Sequence, residues 1–370
     1  MNAKLFNASL LTACVVLASA SPVSASGYKF TDLGTLGGSN SFARGINNAG
    51  QVVGYGDPVA GPYHAIIWNG TTATDLGTLG GGESQAYAIN DAGLVVGWSQ
   101  TTGNAAQRAT LWTGLIASDL GTLDDGKNSR AFAINNTGQV VGSSWISGFD
   151  KPTRWDLGGV VKVTDLAADR SNNTGVAFAV SDAGRAAGQY SFTTYVDHAA
   201  VWNGFTPLVD LILDFTYRYS PSVANAINNA GQVVGQRDNQ AASWNGFNGT
   251  NLDTLGGTFS AAYAINEHEQ VVGYAQVTGY GNHATLWNGT AVIDLNSFLN
   301  PSLVSAGWVL SEARGVNDNG WIVGNAHNSI TGLDHAFLLT PVPEPETYAM
   351  FMAGLGLMGF IARRRKNVQA

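Results

Sequence analysis

Short apolar stretches alternate with turn residues along most of the chain, and one such phrase recurs seven times. Each copy holds an apolar residue, a polar turn such as Asn-Asn-Ala-Gly, and an ending of two apolar residues and glycine, which is Val-Val-Gly in five copies. The turn suits a type I geometry closed by a left-handed residue, which predicts a β-hairpin of two strands, a and b. The copies are GINNAGQVVG ending at Gly54, AINDAGLVVG at Gly97, AINNTGQVVG at Gly142, AVSDAGRAAG at Gly188, AINNAGQVVG at Gly235, AINEHEQVVG at Gly273 and GVNDNGWIVG at Gly324.

The sixth copy differs from the others at the end of its turn. Glu269 stands where the other copies have glycine. Glycine adopts the left-handed conformation freely, whereas another residue pays about 1 kcal/mol for it. We therefore expect the turn of the sixth copy to depart from the geometry of the others.

Two further phrases follow the hairpins and complete a four-strand repeat. The first is typified by HAIIW at 64–68 and is often followed by Asn-Gly, the strongest short signal for a two-residue turn. The second is typified by TDLGTL from Thr74, and we name these two strands c and d. Successive hairpins are 43, 45, 46, 47, 38 and 51 residues apart, which is the spacing of four-stranded propeller blades.

The array begins one strand early. A d phrase already stands at Thr31–Leu36, before the first hairpin, and the last unit ends at His335–Leu339 with no d phrase after it. Pairing the first d strand with the last a, b and c strands would leave no unpaired edge. The sequence thus predicts an all-β, seven-bladed β-propeller of four-stranded blades over residues 26–341, closed by its N-terminal strand.

The three phrases recur in order, with His-Ala opening several c strands, and in this they resemble the HAF family of extracellular repeats. The resemblance covers nearly the whole repeat region. It implies export and a repeat architecture, and it does not imply a reaction.

Residues 1–25 are typical of a signal peptide. Lys4 precedes an apolar stretch, and small residues allow cleavage by signal peptidase after Ala25 or after Ala20. Cys14, the only cysteine of the chain, lies inside this segment. Lipidation of Cys14 is the alternative, but the apolar stretch continues beyond it, where a lipoprotein would turn polar.

Residues 342–370 differ sharply from the repeats. An apolar stretch at 348–362 would make a helix of roughly 22 Å, against about 30 Å for a bilayer core, so it predicts a minimal transmembrane helix that brings the precursor into contact with the membrane. A buried C-terminal helix is the alternative, and the four basic residues that end the stretch disfavour it. The motif residues are Pro343, Glu344, Pro345, Arg363, Arg364 and Arg365.

This order of Pro-Glu-Pro, short apolar helix and basic end resembles a PEP-CTERM sorting signal. The resemblance implies that an exosortase of a Gram-negative bacterium recognises the tail and cleaves it near the motif. The released protein would then reach the envelope, the cell surface or the extracellular matrix.

Composition narrows the classes of function. The 370 residues are 45% hydrophobic and 12% charged, with a net charge of −8 and no basic cluster outside the tail, which excludes a nucleic-acid partner. No sequence motif of a catalytic, metal or cofactor site is present, so we expect no catalytic residue, no metal and no cofactor. Histidines at one repeat position, namely His64, His198, His283 and His335, are better explained as structural.

The d strands carry a repeated aspartate, at Asp32, Asp75, Asp119, Asp165, Asp210 and Asp294. We expect these carboxylates to accept hydrogen bonds from the backbone of a neighbouring blade or from an Asn turn. A ring of acids that binds cations is the alternative.

The b–c loops vary in length and contain aromatic residues, as expected of binding loops on a rigid scaffold. The alternative is that these aromatics cap the blades. The leading hypothesis is a non-catalytic surface or biofilm-matrix protein that binds an extracellular polysaccharide or another surface protein. The second is a glycan-acting hydrolase or lyase on the same propeller. The candidate residues are Tyr55, Tyr63, Trp98, Trp145, Phe149, Tyr190, Tyr195, Tyr274 and Tyr280.

Overall fold

The computed structural model describes residues 27–342, except 125, 168–173, 192–195, 204–208, 212–220, 280 and 290. The predicted signal peptide, with Cys14, and the predicted helix at 348–362 lie outside the described residues. So do the sorting residues from Pro343 to Arg365, together with Tyr195 and Tyr280. Within the described part of the chain, no helix is long and apolar enough to cross a membrane.

The predicted seven-bladed propeller is confirmed: the described strands form seven antiparallel four-stranded sheets, each in the order a-b-c-d. The hairpin phrase supplies strands a and b, and the two following phrases supply c and d. The first three blades contain β2 (Gly37–Ile46), β3 (Val52–Pro58), β4 (His64–Asn69) and β5 (Thr72–Asp75); β6 (Gly80–Ile89), β7 (Leu94–Thr101), β8 (Gln107–Thr113) and β9 (Ile116–Asp119); β10 (Asn128–Ile134), β11 (Gln139–Ile146), β12 (Phe149–Asp156) and β13 (Lys162–Asp165).

The remaining blades follow the same plan, and the seventh takes its d strand from the start of the chain. β1 (Gly27–Asp32) pairs antiparallel with β28, from Gly27 opposite Val342 to Asp32 opposite Phe337. Blades four to seven contain β14 (Thr174–Val180), β15 (Arg185–Ser191), β16 (Asp197–Asn203) and β17 (Val209–Asp210); β18 (Ser222–Ile227), β19 (Val233–Arg237), β20 (Gln240–Asn245) and β21 (Asn248–Asn251); β22 (Gly256–Ile265), β23 (Val271–Val277), β24 (Asn282–Asn288) and β25 (Ala291–Asp294); β26 (Trp308–Val316), β27 (Ile322–Asn328), β28 (Asp334–Val342) and β1.

One short helix, α1 (Pro301–Ser305), stands between blades six and seven. The side chain of Asn300 accepts a hydrogen bond from the Ser302 backbone and caps it. β28 runs to Val342, one residue beyond the predicted end of the propeller.

Apolar cores lie between neighbouring blades. The seven clusters of buried residues in the described chain each join two adjacent blades, and the cluster with Leu33, Ile66 and Val323 joins blades seven and one. Large indoles at the end of the c strands fill these junctions, because alternation along each strand turns them inward. The fully buried indoles are Trp68, Trp112, Trp155, Trp202 and Trp244.

Buried serines connect the blades by hydrogen bonds. The Ser84 hydroxyl in β6 accepts from the backbone N–H of Ala65 in β4 at 3.0 Å. The same bond joins blade seven to blade one, where the Ser41 hydroxyl accepts from Ala336 N–H at 3.0 Å. The junction between the two ends of the array is therefore built like the junctions inside it.

Candidate functional site

The hairpin turns between strands a and b meet around one end of the central channel. The first residue of each turn is buried, and in most blades it is an Asn whose side-chain amide donates to the first turn carbonyl of the next blade. Asn90 Nδ2, for example, donates to the Asn135 carbonyl at 3.1 Å, and Asn317 Nδ2 donates to the Asn47 carbonyl at 3.0 Å. The recurring Asn thus joins one blade to the next.

The second residues of the same turns form a complete circuit of hydrogen bonds, which we call the turn ring. Each backbone N–H donates to the side-chain oxygen of the equivalent residue in the next blade, and the last bond, from Asp318 N–H to Asn48 Oδ1 at 2.9 Å, returns to the first blade. Amides and acids alternate until blades six and seven, where two acids follow each other. The turn ring consists of Asn48, Asp91, Asn136, Asp182, Asn229, Glu267 and Asp318.

The turn with Glu269 keeps the geometry of the other turns, so the expectation that it departs from them is wrong. Glu269 has a φ of 61°, in the left-handed region. Its N–H donates to the Asn266 carbonyl at 3.2 Å, as Gly50 N–H does to the Asn47 carbonyl at 3.0 Å. The hydrogen bonds to the neighbouring turns hold this backbone in a conformation that costs a non-glycine residue about 1 kcal/mol.

Every a strand has a β-bulge at the same position. In blade one, Ala43 lies opposite Gly54 and Gly45 lies opposite Val53, so Arg44 has no partner. The six other a strands shift register in the same way. A bulge re-aims one side chain while the ladder continues on both sides. The seven unpaired residues, which we call the bulge ring, are Arg44, Tyr87, Phe132, Phe178, Asn225, Tyr263 and Arg314.

The glycine that ends each Val-Val-Gly phrase accommodates the bulge. A Cβ on Gly54 would lie 1.8 Å from the Phe42 carbonyl oxygen, and a Cβ on Gly142 would lie 1.9 Å from that of Arg130. The equivalent glycines of the other blades are equally close to the carbonyl that precedes the bulge. Only a residue without a side chain fits this approach of two strands.

All seven bulge-ring residues line one cavity of about 310 Å³. Because the a strands run side by side around the channel, this cavity lies above the turn ring, with the residues just before the turns between them. The sides of the cavity differ: two arginines stand on adjacent blades seven and one, and aromatic rings cover blades two to four and six. Strand periodicity alone could not reveal this ring, because a bulge breaks the alternation.

Arg314 is held by an acid and an aromatic ring. Its guanidinium donates to Glu312 Oε2 at 2.6 Å and lies 3.8 Å from the Tyr263 ring centroid. Glu312 Oε1 accepts from Asn325 Nδ2 at 2.7 Å. Burial opposes ionisation of Glu312, but the charge and hydrogen bond of Arg314 outweigh it and hold the pKa of Glu312 below its ordinary value. Glu312 and Arg314 are therefore a fixed, oppositely charged pair.

Arg44 has no such acid among its described contacts. Its Nη2 donates to the Tyr55 hydroxyl at 2.8 Å, and its guanidinium lies over the rings of Tyr55 and Tyr87 at 5.3 and 6.0 Å. The Nε atoms of Arg44 and Arg314 are both buried and have no hydrogen-bond partner within the described residues. Both Nε donors are therefore enclosed by the protein without a partner among the described residues.

The aromatic side of the bulge ring is stacked and neutral. Tyr87 and Phe132 stack with centroids 5.3 Å apart and planes 12° apart, and Phe178 meets Phe132 edge-on at 5.3 Å. Burial raises the pKa of Tyr87, and burial likewise raises that of Tyr263. Both hydroxyls therefore keep their protons at neutral pH.

A second cavity of about 280 Å³ adjoins the first, and Phe132 and Phe178 line both. Trp145 and Asp150, which flank the b–c loop of blade three, line it on the other side. The second cavity therefore lies beside the bulge-ring cavity, among blades two to four, and reaches the residues that flank the b–c loop of blade three.

The structure places the predicted binding aromatics in several environments. Trp145 and Phe149 are exposed, at 45% and 47%, and Tyr63 lies in the loop before β4. Tyr55, Trp98, Tyr190 and Tyr274 belong to b strands, because each strand continues past its Val-Val-Gly or Ala-Ala-Gly phrase.

Three of these strand residues are buried; Tyr55, one of them, is 9% exposed and stacks on Phe42 with ring centroids 5.1 Å apart. The expectation that Trp98 is an exposed platform is wrong, since it is 4% exposed and its indole N–H donates to the Tyr87 hydroxyl at 2.9 Å. Tyr190 is fully buried against Trp202. Trp98 instead positions a bulge-ring residue. A binding role for the accessible aromatics stays a prediction.

The hydrogen bonds described for five of the repeated aspartates lie within their own blade rather than in a neighbouring one. Asp75 accepts the backbone N–H of Gly77 at 2.7 Å and contacts His64 Nδ1 at 2.7 Å, and Asp294 makes the same two contacts with Asn296 and His283. The expected partners, a neighbouring backbone or an Asn turn, were therefore wrong. Burial opposes ionisation of Asp294, but the bonds from His283 and Asn296 outweigh it and lower its pKa.

Among the residues that the structure describes, no three His, Cys, Asp or Glu side chains are grouped to hold a metal ion. The bulge ring was missed in the sequence, although a signal was present. In the phrase Ala-x-Ala-Ile-Asn, the position x holds Tyr87, Phe132, Asn225 or Tyr263 while its neighbours hardly change. A variable residue inside an otherwise uniform phrase marks the site.

Residues 341–366 match the PEP-CTERM protein-sorting motif. The chain carries an exosortase sorting signal. It is therefore an exported protein of a Gram-negative bacterium, made as a precursor that passes the membrane and is processed by an exosortase. No curated protein matches the sequence. The match to the sorting motif does not cover the repeats, and the HAF resemblance remains a prediction.

A solved structure to which this chain is similar is that of a gluconolactonase from Xanthomonas campestris. The two chains share 10% sequence identity, with a TM-score of 0.42 over 85% of this chain and 90% of that chain. Similarity at this level does not extend the activity of that protein to this one.

Proposed function

We propose that this protein is a non-catalytic binding module of the cell surface or biofilm matrix and that it binds an extracellular polysaccharide. The observation that carries the proposal is the bulge ring. Seven equivalent positions meet in one cavity and carry different side chains, while the residues around them repeat. Variation confined to a cavity on a uniform scaffold is typical of a binding site.

The chemistry of the cavity suits a sugar. Tyr87, Phe132 and Phe178 offer apolar ring faces, and the guanidiniums opposite them offer hydrogen-bond donors. A volume of about 310 Å³ stands at the lower end of small-molecule sites, about 300–1,000 Å³. The adjoining cavity with Trp145 gives a polymer a path towards the b–c loop face.

The state of Glu312 supports binding rather than glycan hydrolysis or elimination. A general acid needs a pKa raised towards neutrality. Glu312 precedes the bulge residue Arg314 in its strand, but its two oxygens are bound by Arg314 and Asn325, and its pKa is lowered.

The proposal extends to processing of the precursor. Signal peptidase removes residues 1–25, the helix at 348–362 holds the precursor in the membrane, and exosortase cleavage at the Pro343 motif releases residues 26–341 or a few more. In the processed protein, the N-terminal strand closes the ring. The pairing of β1 with β28 and the bond from Ala336 to Ser41 support this closure.

The proposal is tested by a binding screen of the processed protein against bacterial and plant polysaccharides, with product release measured on the same polymers. We expect binding without products. Trp145→Ala should weaken binding by about 1–3 kcal/mol, the range for an aromatic anchor at an interface. Phe247→Ala removes an exposed ring at a c–d turn, on the opposite face, and should leave binding unchanged. Cleaved products, or no bound polymer, would refute the proposal.

A further inference from the structure

The bulge-ring cavity holds one cationic group more than its described acids neutralise. Arg314 is paired with Glu312 at 2.6 Å. Arg44, on the adjacent blade, has a phenol hydroxyl and two aromatic faces as its described contacts. No ion pair of Arg44 exists within the described residues. Arg44 therefore brings to the cavity a positive charge that no described acid contacts directly, although its charge also acts on Glu312.

The donors of Arg44 are held ready for a ligand. The Tyr55 hydroxyl fixes Nη2, and the rings of Tyr55 and Tyr87 limit the motion of the guanidinium plane. The Arg44 side chain is itself only half-buried and lines the cavity, so its outer nitrogens are the donors that a ligand oxygen meets there.

The rest of the molecule limits how much negative charge the ligand can bring. The chain has a net charge of −8, so a densely charged polyanion is repelled over the surface as a whole. One carboxylate per sugar unit matches the one guanidinium of the cavity that has no ion pair among the described residues. A carboxylate also fits the planar fork of arginine with two parallel hydrogen bonds.

We infer that the bulge-ring cavity binds a sugar unit that carries a carboxylate, such as a uronic acid, with Arg44 holding the carboxylate and the Tyr87–Phe132–Phe178 wall holding the sugar ring. This inference rests on the proposed function, since it names the class of polysaccharide that the same site takes. It assigns recognition to Arg44 and leaves Glu312 and Arg314 as the fixed pair beside it.

The test compares acidic polymers with their own neutral forms. Affinities of the processed protein are measured for oligogalacturonate and alginate oligomers and for the same oligomers after carboxyl reduction, with dextran sulfate as a third arm. We expect the acidic forms to bind at least tenfold more tightly than the reduced forms. The affinity for the acidic forms should fall as salt is raised, because the added ions screen the charge.

Substitutions of single arginines test whether Arg44 causes the preference for acidic oligomers. Arg44→Gln removes the charge and keeps an amide near Tyr55, so it should bind acidic and reduced oligomers equally. Arg108→Gln removes a cation that lies 3.7 Å from Asp119 on an outer strand, and should retain the preference of the unmodified protein. Circular dichroism confirms that both variants are folded.

Other outcomes would overturn the inference alone or the inference together with the proposed function. Equal binding of acidic and reduced oligomers by the unmodified protein overturns the inference and leaves polysaccharide binding intact. Binding of dextran sulfate alone, or an unchanged preference in Arg44→Gln, also overturns it. If no oligomer binds and the wider screen finds no polysaccharide, both the inference and the proposed function fail.

Discussion

The turn ring and the bulge ring come from the same strands, a few residues apart, and they have opposite characters. At the turns, Asn or an acid occurs in every blade, and each side-chain oxygen accepts the backbone N–H of the preceding blade until the circuit is complete. At the bulges, the side chains range from Arg44 to Phe132 to Asn225 and point to a shared cavity. In this repeat protein, the contacts that join the blades are thus the same in every blade at the level of the turns. The side chains that line the cavity differ from blade to blade at the level of the bulges.

The two positions differ because they have different hydrogen-bonding partners. The side chain of a turn-ring residue must place an oxygen where it accepts the backbone N–H of the preceding blade, so few side chains fit. A bulge-ring residue has no ladder partner, as Arg44 between Ala43 and Gly45 illustrates. Its side chain can change without disturbing a hydrogen bond of the sheet.

The comparison assumes a closed ring, and removal of the first strand tests that assumption with the largest expected effect. Deletion of residues 28–38 removes most of β1 and leaves β28 with an unpaired edge. We expect loss of cooperative unfolding or aggregation, since exposed edges present unpaired backbone groups. Thermal and urea unfolding, followed by circular dichroism, measure it. A truncated protein that melts like the full protein would show that the ring does not close through this strand.

The bulge ring depends on the glycine opposite each bulge, and Gly142→Ala tests this dependence. The new Cβ would lie 1.9 Å from the Arg130 carbonyl oxygen, so strands β10 and β11 must separate. We expect a loss of about 3 kcal/mol in the free energy of unfolding, at the upper end for an overpacked site. Gly158→Ala, where no atom lies within 4 Å, should change it by less than about 0.5 kcal/mol. Equal effects in denaturant melts would contradict the steric account.

The smallest effect is expected at the one turn that lacks glycine. Glu269→Gly should raise the free energy of unfolding by about 1 kcal/mol, because it relieves a left-handed φ of 61°. The reciprocal change, Gly93→Glu, places a side chain in the same conformation with only Gln51 nearby, at 3.6 Å. It should lower the free energy by a similar amount. A loss of stability in Glu269→Gly would mean that the Glu269 side chain has a stabilising contact.

Much of the fold could be predicted from the sequence. The Asn-Asn-Ala-Gly turn, the Asn-Gly turn and the d phrase each encode a local geometry, and their order repeats, so blade number and strand order followed. The chain offset between Thr31 and Leu339 predicted which strand the seventh blade would take, and β1 does lie beside β28.

The site was harder to predict because it depends on features that hydrophobic alternation does not encode. The bulge at Arg44 inserts a residue out of register, and neither Arg44 nor its equivalents were candidates. The sequence predicts that Trp98 belongs to a b–c loop, but it lies in β7 and packing from the next blade helps to bury it, with Arg130 lying 5.7 Å from its ring. Such burial depends on contacts with the neighbouring blade, and the sequence of a single repeat does not show these contacts.

One pair of substitutions in a single strand tests the division between the two rings most directly. Phe132 belongs to the bulge ring, and Asn135, three residues later, donates to the Ser181 carbonyl at 2.9 Å. Affinity for the polysaccharide found in the screen and the melting temperature are measured for Phe132→Ala and Asn135→Ala. We expect Phe132→Ala to lose at least tenfold in affinity with little change in melting temperature. Asn135→Ala should melt several degrees lower, from a loss of about 1–3 kcal/mol, and keep its affinity. Unchanged affinity in Phe132→Ala, together with a large drop in its melting temperature, would make the bulge ring part of the packing and contradict the account.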